Sequence, residues 1–350
     1  MKKIFFVLPG YSRRPIGGYK IIYQYANKLA EDGYNVNIVY LEYNRFPKGS
    51  LKWLVLKHWT QTGPNWLKLN RKIKKYTVKS SLSTIQCNKD DVVIASSVET
   101  VEPTKKLFAD INDKFYFVQD LEDWNVSRNY LISTYNMGFV NVAISKWLKE
   151  FVDKHSNKKT IYLRNPIDIK KYRVINPITD RDPYTIGILY HKASYKGSDC
   201  TLDTIKQLKS KYPQLKLIMF GTREEPKNLP SWIKYYKNAS QSTTIDIYNS
   251  IGIFVCGTIK EGFGLTGLEA MACGATLVST DYLGAREYAL NGVNSILSPV
   301  TDYKKLGENI SLIIDNPSLR LRLAKAGVET AADFSWDVAY KRFKSIIFKQ

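Results

Sequence analysis

Residues 261–281 read EGFGLTGLEAMACGATLVSTD, and they hold two carboxylates and three glycines at spacings that could manage a diphosphate. Gly262, Gly264 and Gly267 form Gly-x-Gly-x-x-Gly, with Asp281 about twenty residues further on. That is the dinucleotide-binding fingerprint. Glu261 and Glu269, separated by seven residues, bracket the same glycines. A carboxylate beside a pyrophosphate repels it, unless the carboxylate accepts hydrogen bonds from sugar hydroxyls. The fingerprint also needs its strand to run almost directly into the first glycine. Here the apolar run GIFVCG ends near Cys256, and Lys260-Glu261 fill the gap before Gly262. Two carboxylates flanking a phosphate-binding helix start suit a ligand with hydroxyls at both ends of a diphosphate, which is a nucleotide sugar. A NAD-dependent oxidoreductase using the three glycines is the alternative.

Three other loops carry usable groups. YHKASYKGSD sets His191, Lys192 and Lys196 between a strand and a helix, where cations would face a diphosphate. RRPIGGYK places Gly17-Gly18 at a helix start, which lets backbone approach a ligand and offers free N–H groups to an anion. VQDLEDW gathers Gln119, Asp120 and Glu122 at a strand end. Three scattered histidines and four cysteines without a Cys-x-x-Cys pair assemble no metal site, so neither metal nor cofactor is expected. Unpaired thiols in a chain this long suit a cytoplasmic protein.

The elements that must position these groups alternate. KKIFFVLPG is an apolar strand, GYKIIYQYANKLAEDGY a helix with Gly33 at its stop, and NVNIVYLEY the next strand. DDVVIASS, KFYFVQD and KTIYLRNPID continue the series, with the helix SKWLKEFVDKH between the last two. After a polar, proline-containing stretch the pattern restarts with YTIGILYHK, LKLIMFG, GIFVCG and ATLVSTD. Such alternation predicts α/β architecture: two doubly wound parallel sheets, covering 1–170 and 184–332, joined by a linker at 171–183.

Charge is unevenly spread. Lys and Arg number 52 against 32 Asp and Glu, a net of +20. Residues 43–89 contain eleven basic side chains and no acid, with Trp53, Trp59 and Trp66 among them. Basic residues interleaved with interfacial aromatics suit an anionic membrane surface, expected through residues 45–80. No nucleic-acid-binding module accompanies the charge, so a nucleic-acid partner is not expected.

The run EGFGLTGLEAMACGATLVSTDYLGAREYALNGVNSIL resembles the signature of retaining glycosyltransferase family 4, and the likeness extends in order from ILYHKASYKG to FSWDVAYKRF. The resemblance implies the GT-B fold, two Rossmann-like domains facing each other across a cleft, with residues 333–350 a helix crossing back to the N-terminal domain. It implies that Glu261 contacts the donor sugar and Glu269 the ribose. Backbone groups of Gly262, Phe263, Gly264, Leu265 and Thr266, with Gly221, complete donor binding. Lys196 matches the lysine of the family's Arg…Lys diphosphate clamp, while His191, with Lys192 beside it, stands where the arginine is expected. Gly17, Gly18, Gln119, Asp120 and Glu122 fall on the acceptor side or cleft. YFVQDLEDW is similar to bacterial rhamnosyltransferases that build surface polysaccharides, which implies dTDP-rhamnose, or else a UDP- or GDP-hexose, as donor. A growing, lipid-linked glycan would be the acceptor, reached at the cytoplasmic face of the plasma membrane.

Overall fold

Lys3–Leu8 (β1) is buried at five consecutive positions, which suits a parallel strand covered on both faces. The structure is a computed structural model that describes residues 2–42, 49–79 and 81–349. Two units divide the chain: Met1–Asn165 with Ala339–Gln350, and Pro166–Val338.

In the first unit β1 leads to α1 (Gly17–Glu31), β2 (Asn35–Glu42), α2 (Leu51–Thr62), β3 (Lys74–Lys79), β4 (Val92–Ala95) and α3 (Val98–Lys105). Then come β5 (Lys114–Val118), α4 (Arg128–Thr134), β6 (Val140–Ala143), α5 (Lys146–Asp153) and β7 (Ile161–Tyr162). All pairings are parallel, in the order β3-β2-β1-β4-β5-β6-β7. Strand order therefore reverses between β1 and β4, and the loops following those strands diverge there.

The second unit repeats the design with β8 (Thr185–Leu189), α6 (Ser198–Leu208), β9 (Lys216–Gly221), β10 (Ile233–Lys237), α7 (Gln241–Ser250) and β11 (Ile253–Cys256). It continues through α8 (Leu265–Ala272), β12 (Thr276–Thr280), β13 (Ser295–Ser298), α9 (Tyr303–Asp315) and α10 (Pro317–Ala332). The sheet order is β10-β9-β8-β11-β12-β13, again parallel, with its reversal between β8 and β11. Ile188, Met219 and Val255 form its core with Ile205 of α6 and Ile310 of α9.

The last helix, α11 (Trp336–Phe348), supplies Phe343 to the first unit's core. The Phe343 ring lies 4.2 Å from Tyr25 and about 6 Å from Phe6 and Phe117, centroid to centroid. Asp32 accepts from both Tyr340 and Lys344, 2.8 Å each, and pins the helix end to α1.

Two findings differ from the sequence expectations. Residues 171–183 belong to the second unit and do not hang free as a linker. Arg181 is buried there, donating to Tyr248 O, Asn176 O and Cys273 O, while Asn249 Oδ1 accepts from Ile175 N. Two edge strands, β3 (KKYTVK) and β10 (IKYYK), and the short interior strand β6 (VNVA) are also additional to the expected series. Of the basic stretch at 45–80, residues 45–48 and 80 lie outside the described residues. Within the rest, Trp66 is committed to the fold, its indole donating to Ser12 O and packing 5.6 Å from Tyr23.

Candidate donor site of the second unit

Ligands of doubly wound sheets bind beyond the carboxyl ends of strands, where strand order reverses. In the second unit that point lies between the loops after β8 and β11. Gly197, at φ +59°, brings them together, because any side chain there would overlap the Gly257 carbonyl. Ile259 N and Lys260 N both donate to Tyr195 O, at 2.8 and 3.2 Å. Backbone thus lies on backbone, and the side chains that follow meet.

They meet as an ion pair. Lys196 Nζ lies 2.9 Å from Glu261 Oε1, with 17% and 27% of the side chains exposed. Burial alone would pull the Lys196 ammonium down, but the Glu261 carboxylate outweighs it and the net shift is upward. Lys196 is therefore a cation throughout the neutral range. His191, Cys256, Thr258 and Thr266 line the same pocket.

His191 plays a different part from a clamp arginine. Its Nδ1 accepts from Ala193 N at 3.0 Å, which assigns the ring proton to Nε2. Burial first, then the charges of Lys196 and Arg223, hold its pKa below the usual histidine value. Near neutral pH His191 is a neutral N–H donor. Lys192 is exposed and does not line the pocket, and Gly221 lies under Tyr190 and Tyr235, its Cβ position 2.7 Å from Tyr235 Oη. Arg223, which lies within electrostatic reach of His191, was not among the expected residues. Its sequence setting, TREEP, pairs it with two acids and hides it.

The glycines of the opening motif serve this turn. Gly264 has φ +89°, a conformation only glycine adopts without strain, and starts α8 without a side-chain cap. A Cβ on Gly267 would lie 2.6 Å from Tyr288 Oη. Gly262 comes six residues after the end of β11. Packing accounts for the spacing of Gly264 and Gly267, so the fingerprint needs no dinucleotide. Phe263 is buried against Tyr288 and Phe334, at 5.7 and 6.1 Å, and Glu269 is 5% exposed on α8.

In the first unit, Gly17 opens α1 and Gly18 leaves room for Gln119, whose Oε1 lies 2.9 Å from where a Cβ would be. Gln119 Nε2 donates to Ser96 O at 3.1 Å. Asp120 Oδ1 accepts from Leu121 N, and Glu122 turns onto α3, accepting from Val98 N at 2.5 Å. Desolvation, with Asp120 and Glu99 adding to it, pushes Glu122 up to about 8. Glu122 thus caps a helix with a carboxyl that holds its proton at neutral pH.

Residues 170–330 match the family model described as glycosyl transferases group 1. The second unit is thereby matched over nearly its whole length. The chain is 27% identical over 210 residues to the N,N'-diacetylbacillosaminyl-diphospho-undecaprenol alpha-1,3-N-acetylgalactosaminyltransferase of Campylobacter jejuni, covering 58% of this chain and 51% of that protein. It is 25% identical over 191 residues to the capsular polysaccharide biosynthesis glycosyltransferase CapM of Staphylococcus aureus, covering 52% and 49%. The chain thus spans about half the length of these curated relatives. Among solved structures, HepE of Anabaena in complex with UDP and glucose superposes at a TM-score of 0.75, with 15% identity and both chains fully covered. That likeness shows the fold, GT-B with two parallel-sheet Rossmann-like units, and nothing supports the oxidoreductase reading.

Proposed function

We propose that this protein is a retaining glycosyltransferase whose second unit binds a nucleotide-sugar donor and whose acceptor is a growing glycan, lipid-linked at the cytoplasmic face of the membrane. The observation that carries the reading is the Lys196–Glu261 pair, set beside the start of α8 at the strand-order reversal. One group is a half-buried cation for a diphosphate, and the other is a carboxylate for sugar hydroxyls. The relatives' names support the substrate class, since one acts on a diphospho-undecaprenol and another in capsule synthesis. The resemblance of residues 116–124 favours dTDP-rhamnose as donor, and the fold likeness to HepE adds UDP-sugars to the panel.

In the reaction the anomeric carbon's bond to the phosphate oxygen breaks. A bond to the acceptor oxygen forms on the same face, and the acceptor's proton passes to the departing diphosphate. Charge grows on that diphosphate as the bond lengthens. Lys196, the Nε2–H of His191 and the unsatisfied N–H groups at the start of α8 stabilise it. Glu261 would hold donor sugar hydroxyls, and Glu269 the ribose. No enzymic nucleophile, metal or further cofactor enters this scheme. Gly17-Gly18 and Gln119 of the first unit are assigned to the acceptor side.

Calorimetric titration with UDP, dTDP and GDP, with and without chelator, tests the reading, followed by transfer assays with the matching sugars. Binding of one nucleoside diphosphate unaffected by chelator is expected. Absence of binding to all three would overturn it.

A further inference from the structure

Two tyrosines that the scheme above does not use lie under the glycine turn. Tyr288 Oη donates to Gly264 O at 2.6 Å, and Tyr282 Oη lies 2.9 Å from Tyr288 Oη. Tyr288 has one hydroxyl proton, and the carbonyl takes it. Tyr282 must therefore donate to Tyr288, giving the chain Tyr282 O–H to Tyr288 O–H to Gly264 C=O. The rings are 1% and 2% exposed, so water does not compete for these bonds, and successive hydrogen bonds strengthen one another. Tyr288 is held in turn by Asn294, whose Nδ2 donates to Tyr288 O at 2.9 Å and whose Oδ1 accepts from Leu290 N.

The consequence follows from peptide geometry. Gly264 C=O and Leu265 N–H share one planar trans peptide and point in opposite directions. Fixing the carbonyl onto Tyr288 therefore turns the Leu265 N–H the opposite way, out of the helix start, and the residues on either side of this turn, Glu261 and Thr266, line the pocket. Gly264, at φ +89°, would otherwise let this peptide rotate more freely than any other residue allows. A Cβ on Gly264 would overlap Tyr282 Oη, and one on Gly267 would crowd Tyr288 Oη. Tyrosine pair and glycines thus fit as one unit.

We propose that Tyr282 and Tyr288 are positioning residues that aim the Leu265 N–H at the β-phosphate of the donor. The inference rests on the donor-site reading above. It predicts that this chain's preference for a diphosphate depends on hydroxyls that never touch the ligand.

The test is titration of wild type, Tyr288→Phe and Tyr282→Phe with UDP and UMP, and with dTDP and dTMP, alongside Tm. Phenylalanine removes only the hydroxyl, and at position 288 it keeps the ring against Phe263 and Phe334. Tyr288→Phe is expected to shrink the diphosphate-over-monophosphate affinity ratio about tenfold. Tyr282→Phe should shrink it less, about threefold, because Tyr288 still reaches the carbonyl. A lowered Tm with an unchanged ratio would make the pair structural and overturn the proposal alone. Wild type that binds none of the four nucleotides would overturn the donor-site reading and the proposal with it. Should Tyr288→Phe fail to fold, an unchanged ratio in Tyr282→Phe decides against it.

Discussion

The ammonium of Lys196 and the carboxylate of Glu261 sit 2.9 Å apart, across two loops whose backbones touch only because residue 197 is glycine. Each group neutralises the other until a ligand separates their tasks. A nucleoside diphosphate without its sugar needs Lys196 and is repelled by Glu261. Glu261→Gln should therefore bind free UDP or dTDP at least as tightly as wild type. Transfer in the same variant should fall by about 10²–10³, as when a preorganised polar group is removed from a transition state. Lys196→Ala should lose nucleotide binding and transfer together. Calorimetry and turnover on one preparation check both. Loss of nucleotide affinity in Glu261→Gln would show that Glu261 serves the diphosphate site itself.

His191 gives a pH test. Its pKa is depressed by burial and by Lys196 and Arg223, so the ring is neutral at neutral pH. A bound diphosphate favours the protonated ring, so affinity must rise as pH falls through the histidine range. UDP-glucose is a suitable probe, having no terminal phosphate to titrate there. Wild type should bind it more tightly as pH falls on the acid side of neutrality and at constant strength from about pH 7 to 8. His191→Gln keeps an outward N–H and cannot become a cation. It should retain neutral-pH affinity within a few-fold and lose the acid-side gain. An identical pH profile in the variant would remove His191 from the site.

Much of the fold is legible in the sequence, and each exception has its own physical reason. The buried strands β1, β8, β9 and β11 announce themselves as apolar runs between helical patterns. Glu261, Lys196 and Gly264 are readable because charge and glycine beside such runs have few structural uses. The edge strands β3 and β10 carry lysines on a half-buried surface, a device against edge-to-edge pairing that erases apolar alternation. Arg181 sits in a segment that looks like linker because its partners, Tyr248, Asn249 and Cys273, are distant in sequence. Tyr282 and Tyr288 read as ordinary core aromatics. Their hydroxyls reach the glycine turn only through the fold, which brings residues 282 and 288 under Gly264.

Glu122 predicts a pH dependence of stability in the first unit. Its folded pKa, about 8, stands above the ordinary 4.5, with desolvation the main cause. Between those values the folded state holds a proton that the unfolded state has released. The contribution is intact below about pH 4.5 and is lost as pH rises through about 8. Asp120 and Glu99 raise it further, and Tyr116 and Tyr135 feel the same charge. Glu122→Gln keeps an acceptor for Val98 N and nothing to ionise. Its Tm should gain on wild type from about pH 5 to about pH 8 and level off above that, each kcal/mol appearing as about 2–4 °C. Parallel Tm curves would show that solvent reaches the carboxylate and screens it.

Phe343, fully buried among Tyr25, Phe6 and Phe117, gives a test of what α11 does for the first unit. Phe343→Ala removes a ring from a packed aromatic cluster, at a cost of about 3–5 kcal/mol. Denaturant unfolding followed by fluorescence should show that loss in the first transition. Nucleotide binding in the second unit should persist at low denaturant. An unchanged midpoint would mean that the helix end contributes little beyond the Asp32 contacts.

The last prediction concerns α2. Leu51 and Leu54 are 77% and 51% exposed, beside the exposed Lys52 and Lys57. Trp53 carries Lys57 over its ring at 5.2 Å, and Trp59 carries Arg13 at 4.3 Å. Apolar side chains presented among cations suit an anionic leaflet, where each basic residue contributes about 1 kcal/mol. Among the described residues no helix is long and apolar enough to cross a membrane. Attachment would therefore be at the surface and reversible. Sedimentation with anionic vesicles should carry the protein down at low salt and release it at high salt, as screening shortens to a few ångströms. Leu51→Ser with Leu54→Ser should weaken attachment at every salt concentration. Lys52→Gln with Lys57→Gln should flatten its salt dependence. Equal sedimentation with neutral and anionic vesicles, or none with either, would leave α2 as ordinary surface, and the acceptor would no longer need to be sought on a lipid.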